Sequence, residues 1–231
     1  MKNPFTDFCA VSYQKKDIPL ERILRAKVNV MDRILEGYHR LVEEEARNLI
    51  WVVEQIRVVK TYSSAVKSIM KLELEQEDIE EFCLELEQSK KFAYMISGPA
   101  GVYISAMVNY CQSNRIMLNL TDYKRVFHFL GYKLPEGKTL VLQGRMGDYI
   151  GAALDGGCLT VKGSTGNWCG AGMVKGEILV TDYTGEKTGE WMLGGEIHVS
   201  GGVKSKGLNL YGGKIIEQGK MIFPLRNSSY N

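Results

Sequence analysis

The residues with chemistry to offer are few and widely spaced along the chain. Ser97-Gly98-Pro99-Ala100-Gly101 joins a hydroxyl to two glycines just ahead of an apolar stretch. A glycine-containing turn that opens a helix points backbone N–H groups at an anion, so Ser97, Gly98 and Gly101 form a candidate ligand-binding site. The segment lacks the Lys-Ser/Thr of a P-loop and the G-x-G-x-x-G spacing of a dinucleotide fingerprint. The plainer reading is that its glycines make a tight turn. His39 and His198 have no serine or cysteine partner at a recognisable motif, and no G-x-S-x-G elbow occurs. His198 falls between Ile197 and Val199 on a strand pattern, which points its ring outward. Cys9, Cys83, Cys111, Cys158 and Cys169 form an odd set with no C-x-x-C pair, and they read as buried thiols rather than a disulfide framework or zinc site. No catalytic residue, metal site or cofactor is expected.

Other polar residues read as structural. Glu80, Glu81, Glu85 and Glu87 lie opposite an apolar stripe of Ile79, Phe82, Cys83 and Leu86, which predicts a helix from Glu77 to Gln88 with a solvated acidic face. Asp182, Glu186, Glu190 and Glu196, with Lys187, Lys204 and Lys206 near them, read as a solvated charged face. Asp148 and Asn167 occupy equivalent places in successive repeats, where short polar side chains hydrogen-bond turn amides. Tyr149 and Trp168 are equivalent as well, with Trp191 in a third repeat; these aromatics would pack beneath helices or form a partner surface.

The elements that must position these residues divide the chain in two. Of 25 glycines, 20 lie between Gly144 and Gly219, so the two halves obey different rules. Before residue 90, Leu24, Val28, Met31, Leu35, Tyr38 and Val42 recur in steps of three and four, continued by Leu49, Val53 and Ile56. This predicts one long helix or a hairpin broken near Gly37, with Asp17 as N-cap and Pro19 in the first turn. Phe92–Ile96 reads as a strand, Val102–Cys111 as a helix and Arg115–Leu120 as a second strand, a small β-α-β unit. Tyr123–Leu130 then reads as a short helix.

From about Lys138 the sequence repeats. Thr139-Leu-Val-Leu-Gln-Gly144, Cys158-Leu-Thr-Val-Lys-Gly163, Glu177-Ile-Leu-Val-Thr-Asp182 and Glu196-Ile-His-Val-Ser-Gly201 align at a step of nineteen. Gly147, Gly166 and Gly185 keep that step, as do Gly151, Gly170 and Gly189, and these glycines with Asp148 and Asn167 form the expected turn ladder. Alternate aliphatic residues in each unit stack on their equivalents above and below, and no single coil can bury its own edge. The expected fold is α+β and multidomain. A helical domain covers 1–90, a small α/β connecting unit 91–137, and a right-handed parallel β-helix 138–225.

Gly147-Asp-Tyr-Ile-Gly-Ala-Ala-Leu-Asp-Gly-Gly157 and Gly166-Asn-Trp-Cys-Gly-Ala-Gly-Met-Val-Lys-Gly176 fit G-[DN]-aromatic-x-G-A-x-[LM]-x-x-G. In this the chain resembles the G-x-G-x-G domain family, which is shared by the C-terminal region of the large glutamate synthase polypeptide and by one component of formylmethanofuran dehydrogenase. The pattern weakens in later repeats. Gly185-Glu-Lys-Thr-Gly-Glu-Trp-Met keeps the glycines and loses the Asp/Asn and Ala, and the repeat from Gly202 to Gly213 is one residue short. The resemblance implies a β-helix that packs against redox domains without a catalytic centre of its own.

The expected function is therefore a non-catalytic scaffold or assembly protein, in which the helical part caps the first coil. Its expected partners are a second copy or redox-enzyme subunits. The alternative is a small-molecule-binding protein or ester hydrolase with a site between the Ser97–Gly101 turn and the β-helix. A formal charge of +2 gives no reason to expect nucleic acid. No run approaches the ~20 apolar residues of a membrane span and no signal-peptide pattern occurs, so the expected location is cytoplasmic.

Overall fold

A computed structural model describes residues 20–46, 55–88 and 97–224. Asp17, Pro19 and the strand expected at Phe92–Ile96 lie outside the described residues. Helix α1 spans Leu20–Ala46, α2 Gln55–Ile69, α3 Gln76–Gln88 and α4 Ser97–Tyr110. In α1 the buried positions Met31, Ile34, Tyr38 and Leu41 keep the three-and-four spacing read from the sequence. Gly37 does not break the helix. It marks a crossing, because a Cβ there would lie 2.7 Å from Tyr103 Oη on α4 and 2.8 Å from Ser68 Cβ on α2. Around that crossing Tyr38, Phe82 and Tyr103 pack ring to ring, with Tyr38 edge-on to both partners at 5.3 and 5.4 Å. Asp78 in the first turn of α3 accepts the N–H of Glu75, which closes the N-terminal end of that helix.

The strands are β1 Arg115–Asn119, β2 Thr139–Gln143, β3 Asp155–Lys162, β4 Lys175–Val180, β5 Tyr183–Thr184, β6 Glu196–Val199, β7 Gly202–Val203, β8 Lys214–Glu217 and β9 Lys220–Phe223. The main sheet runs β1-β2-β3-β4-β6-β8-β9, parallel throughout except for β9; β5 and β7 form a second, two-stranded sheet. Strand register stacks like on like. Ile116, Leu140, Leu159, Ile178, Ile197 and Ile215 form one fully buried column. Leu118, Leu142, Val161, Val180 and Val199 form its neighbour. Each such side chain contributes roughly 1.5–3 kcal/mol by leaving water, which is how this parallel solenoid of short strands holds. Gly170 shows why the corners need glycine: at φ +68, a Cβ there would sit 2.5 Å from Ile197 Cδ1 inside the coil.

The solenoid begins one coil earlier than Lys138. Strand β1, which the sequence assigns to a separate connecting unit, pairs with β2 across a step of 24 residues, Arg115 to Thr139. Tyr123–Leu130 is not a helix but part of the corner that completes this first coil. Phe129, Gly131 and Lys133 have the same positive φ as Tyr149, Gly151 and Ala153, each twenty residues on. Gly151 donates to Leu130 O as Gly170 does to Ile150 O and Gly189 to Cys169 O. One apolar core runs from α1 through β1 to Ile215, so the helices and coils share their interior. At the far end β9 turns back on β8, and the Glu217 carboxylate accepts the Val203 N–H.

Candidate functional site

The segment Ser97–Gly101 is not a tight turn; it forms the first turn of α4. Gly98 and Gly101 are buried. A Cβ on Gly101 would lie 1.6 Å from His128 O, so glycine is required there for close approach to the first coil. The same face of α4 continues four and eight residues on. Ser105 Oγ donates to Phe129 O at 2.7 Å and accepts from Tyr132 N, and Asn109 Nδ2 donates to Tyr132 O at 3.0 Å. Gly101, Ser105 and Asn109 thus form a stripe that fastens α4 to the first coil. What the sequence offers as a phosphate turn is placed where helix meets solenoid.

Asp148 and Asn167 stand in a ladder of acceptors. His128 Nδ1 accepts from Asp148 N (2.8 Å), Asp148 Oδ1 from Asn167 N (2.7 Å) and Asn167 Oδ1 from Glu186 N (2.7 Å). Each of these side chains caps a backbone donor in the next coil, whereas Ser205 Oγ accepts from Lys187 N one coil back. His128 belongs to this ladder although its type alone did not reveal it; the twenty-residue step to Asp148 is the signal. A groove of about 770 Å³ passes His128, Arg145, Asp148, Tyr183, Lys204 and Glu217. Its two carboxylates are already engaged with backbone N–H groups. His198 points out from β6, 3.2 Å from Glu196, whose other oxygen holds Lys214. Cys169 is buried inside the corner, and desolvation pushes its thiol up to about 12, so the thiolate is suppressed at neutral pH.

The aromatics divide into two kinds. Phe129, Tyr149 and Trp168 stack face to face at 4.6 and 4.9 Å with ring planes 1° apart, and the Lys187 ammonium lies 5.3 Å over Trp168. All four residues have φ between 57° and 60°. The stack and the cation–π contact compensate that left-handed backbone. Val58 of α2 and Val102 of α4 cover its Phe129 end. Trp191 lies in the other positive-φ column, with Lys133, Ala153 and Gly172 below it. Its φ is 59°, yet its side chain is 48% exposed.

Trp191 belongs to an apolar corner of the last coils. Leu193 follows at 58% exposure, Leu208 at 87% and Tyr211 at 68%. The coil bonds bring them together: Trp191 N donates to Asn209 O and Tyr211 N to Met192 O. Glu190, expected on a solvated face, is instead 3% exposed. Its carboxylate accepts from Leu208 N (2.9 Å), Asn209 N (3.2 Å) and Asn209 Nδ2 (2.5 Å). Desolvation raises its pKa, but the Asn209 amide and the two backbone donors outweigh burial and leave it below the ordinary carboxylate range. A buried anion therefore fixes the loop that exposes Leu208. The sequence offers Trp191 as an aromatic for helix packing or a partner surface and Glu190 as a solvated charge; it gives no signal for Leu208.

Among the described residues no group of His, Cys, Asp or Glu is arranged to hold a metal ion, and no helix is long and apolar enough to cross a membrane. Comparison with protein-family models, with curated proteins and with solved structures finds no match for the chain.

Proposed function

We propose that the protein is a non-catalytic scaffold that self-associates through the corner formed by Trp191, Leu193, Leu208 and Tyr211. The observation that carries this reading is the exposure of Trp191 and Leu208 on backbone held rigid at a cost. Trp191 occupies a left-handed position where glycine is easier, and Glu190 is buried to fix the Leu208 loop. Exposed apolar groups gathered at one corner mark contact surfaces. A second copy is the simplest occupant, since two-fold homodimers are the commonest soluble assembly. The likeness of the Gly147–Gly157 and Gly166–Gly176 segments to the G-x-G-x-G domain of glutamate synthase and formylmethanofuran dehydrogenase supports the scaffold class. It also makes a redox-enzyme subunit the second candidate partner.

Light scattering across a concentration series tests the proposal. The expected result is a mass that rises from the 26.0 kDa of one chain towards twice that value. Leu208→Ser with Tyr211→Ser should hold the mass at one chain. A wild-type chain that stays at 26.0 kDa throughout overturns self-association.

A further inference from the structure

We propose that the cleft between α3 and β1, at the helical end of the molecule, docks a basic amphipathic segment of a protein partner. The cleft has a volume of about 500 Å³. Leu118, Leu120 and Tyr123 line its depth, and its edges carry Leu84 at 45% exposure and Met117 at 37%. The cleft is preformed. Gln76 Oε1 accepts the Met117 N–H at 3.1 Å while Gln76 Nε2 donates to Glu80 Oε1 at 2.7 Å, which fixes α3 against the first strand.

Charge identifies the occupant. Glu77, Glu80 and Glu81 line the cleft, and no Lys, Arg or His does among the described residues. Nor does any of these three glutamates have an ion-pair partner there. Helix α3 carries Glu77, Asp78, Glu80, Glu81, Glu85 and Glu87 and no basic residue. An apolar floor with an anionic rim matches a segment that places leucine-like side chains in the cleft and lysines or arginines along the glutamates. The apolar contacts supply salt-insensitive burial, and the rim supplies attraction that fades beyond a Debye length of ~8–10 Å.

The test is fluorescence anisotropy of a dye-labelled Lys-Leu-Leu-Lys-Lys-Leu-Leu-Lys peptide titrated with the full chain, beside the same peptide with Glu for Lys. The lysine peptide should bind, and the glutamate peptide should not. E77K/E81K should weaken binding about tenfold, and Leu84→Ser several-fold with the salt dependence unchanged. E36K/E43K changes the net charge equally on an exposed face of α1 and should leave binding unaltered. Trp191→Gly should leave it unaltered too, which separates this site from the self-association corner. The proposal is overturned if the wild-type chain does not bind the lysine peptide, or if E36K/E43K weakens binding as much as E77K/E81K. It is also overturned if E77K/E81K abolishes self-association, which would assign the cleft to a second copy. Circular dichroism and melting of each variant confirm that the fold is intact.

Discussion

The two ends of the solenoid follow one repeat but treat their corners differently. At the helical end Phe129 is 3% exposed, stacked on Tyr149 and covered by Val58 and Val102. In the last coils Trp191, Leu208 and Tyr211 remain 48%, 87% and 68% exposed. The first kind of aromatic compensates its unfavourable φ through contacts inside the molecule. Of the second kind only Trp191 has a left-handed φ, and no ring stacks on it among the described residues. The same kind of coil thus buries its aromatics at one end and leaves them exposed at the other.

The largest effect should come from the join at the covered end. Gly101→Ala places a methyl 1.6 Å from His128 O, a backbone atom that cannot rotate away. We expect a loss of at least about 3 kcal/mol in urea unfolding; a loss under about 1 kcal/mol would mean that α4 can lift from the coil freely. Next come the two tryptophans in left-handed conformation. Trp168→Gly relieves the backbone but removes the stack on Tyr149 and the Lys187 contact, for a net loss of about 2 kcal/mol. Trp191→Gly removes no comparable contact. Measured on dilute monomer, it should cost less than Trp168→Gly, because about half of the Trp191 surface is already exposed and no ring stack is lost.

An effect comparable to that of Trp168→Gly concerns the anion beneath the exposed loop. Glu190→Gln turns one acceptor into a donor facing the Leu208 or Asn209 N–H, at a cost of about 1–3 kcal/mol at neutral pH. Because folding lowers the pKa of Glu190, its stabilisation is fully present above the unfolded value of 4.5 and is lost as pH falls through the folded value. The gap between wild type and variant in chemical unfolding should therefore be constant from pH 7 to about 5 and close below it. A gap that widened in acid would contradict the assigned hydrogen bonds.

Much of this architecture can be read from residue spacing. The nineteen-residue step of Gly151, Gly170 and Gly189 specifies the corners, and the columns headed by Leu140 and Leu142 follow from alternation. Helix α3 is legible from the stripe of Ile79, Phe82 and Leu86. The first coil is not, because its strand lies 24 residues before the next and its corner offers only Gly131 and Gly137. There Phe127, Leu130 and Leu134 point into the coil at spacings of three and four that also suit a helix face. The turn reading of Ser97–Gly101 fails for a related reason: a glycine kept for close helix packing looks in sequence like a glycine kept for a turn. Of the apolar corner the sequence offers Trp191 but not Leu208, whose exposure depends on which coil ends the stack. Burial of Glu190 depends on a loop eighteen residues downstream.

Hydrogen–deuterium exchange at low and high protein concentration compares the two ends most directly. The account predicts that peptides covering residues 188–194 and 207–213 gain protection as concentration rises, while those covering 97–133 do not change. Protection gained at 97–133 instead, or no concentration dependence at either end, would contradict it.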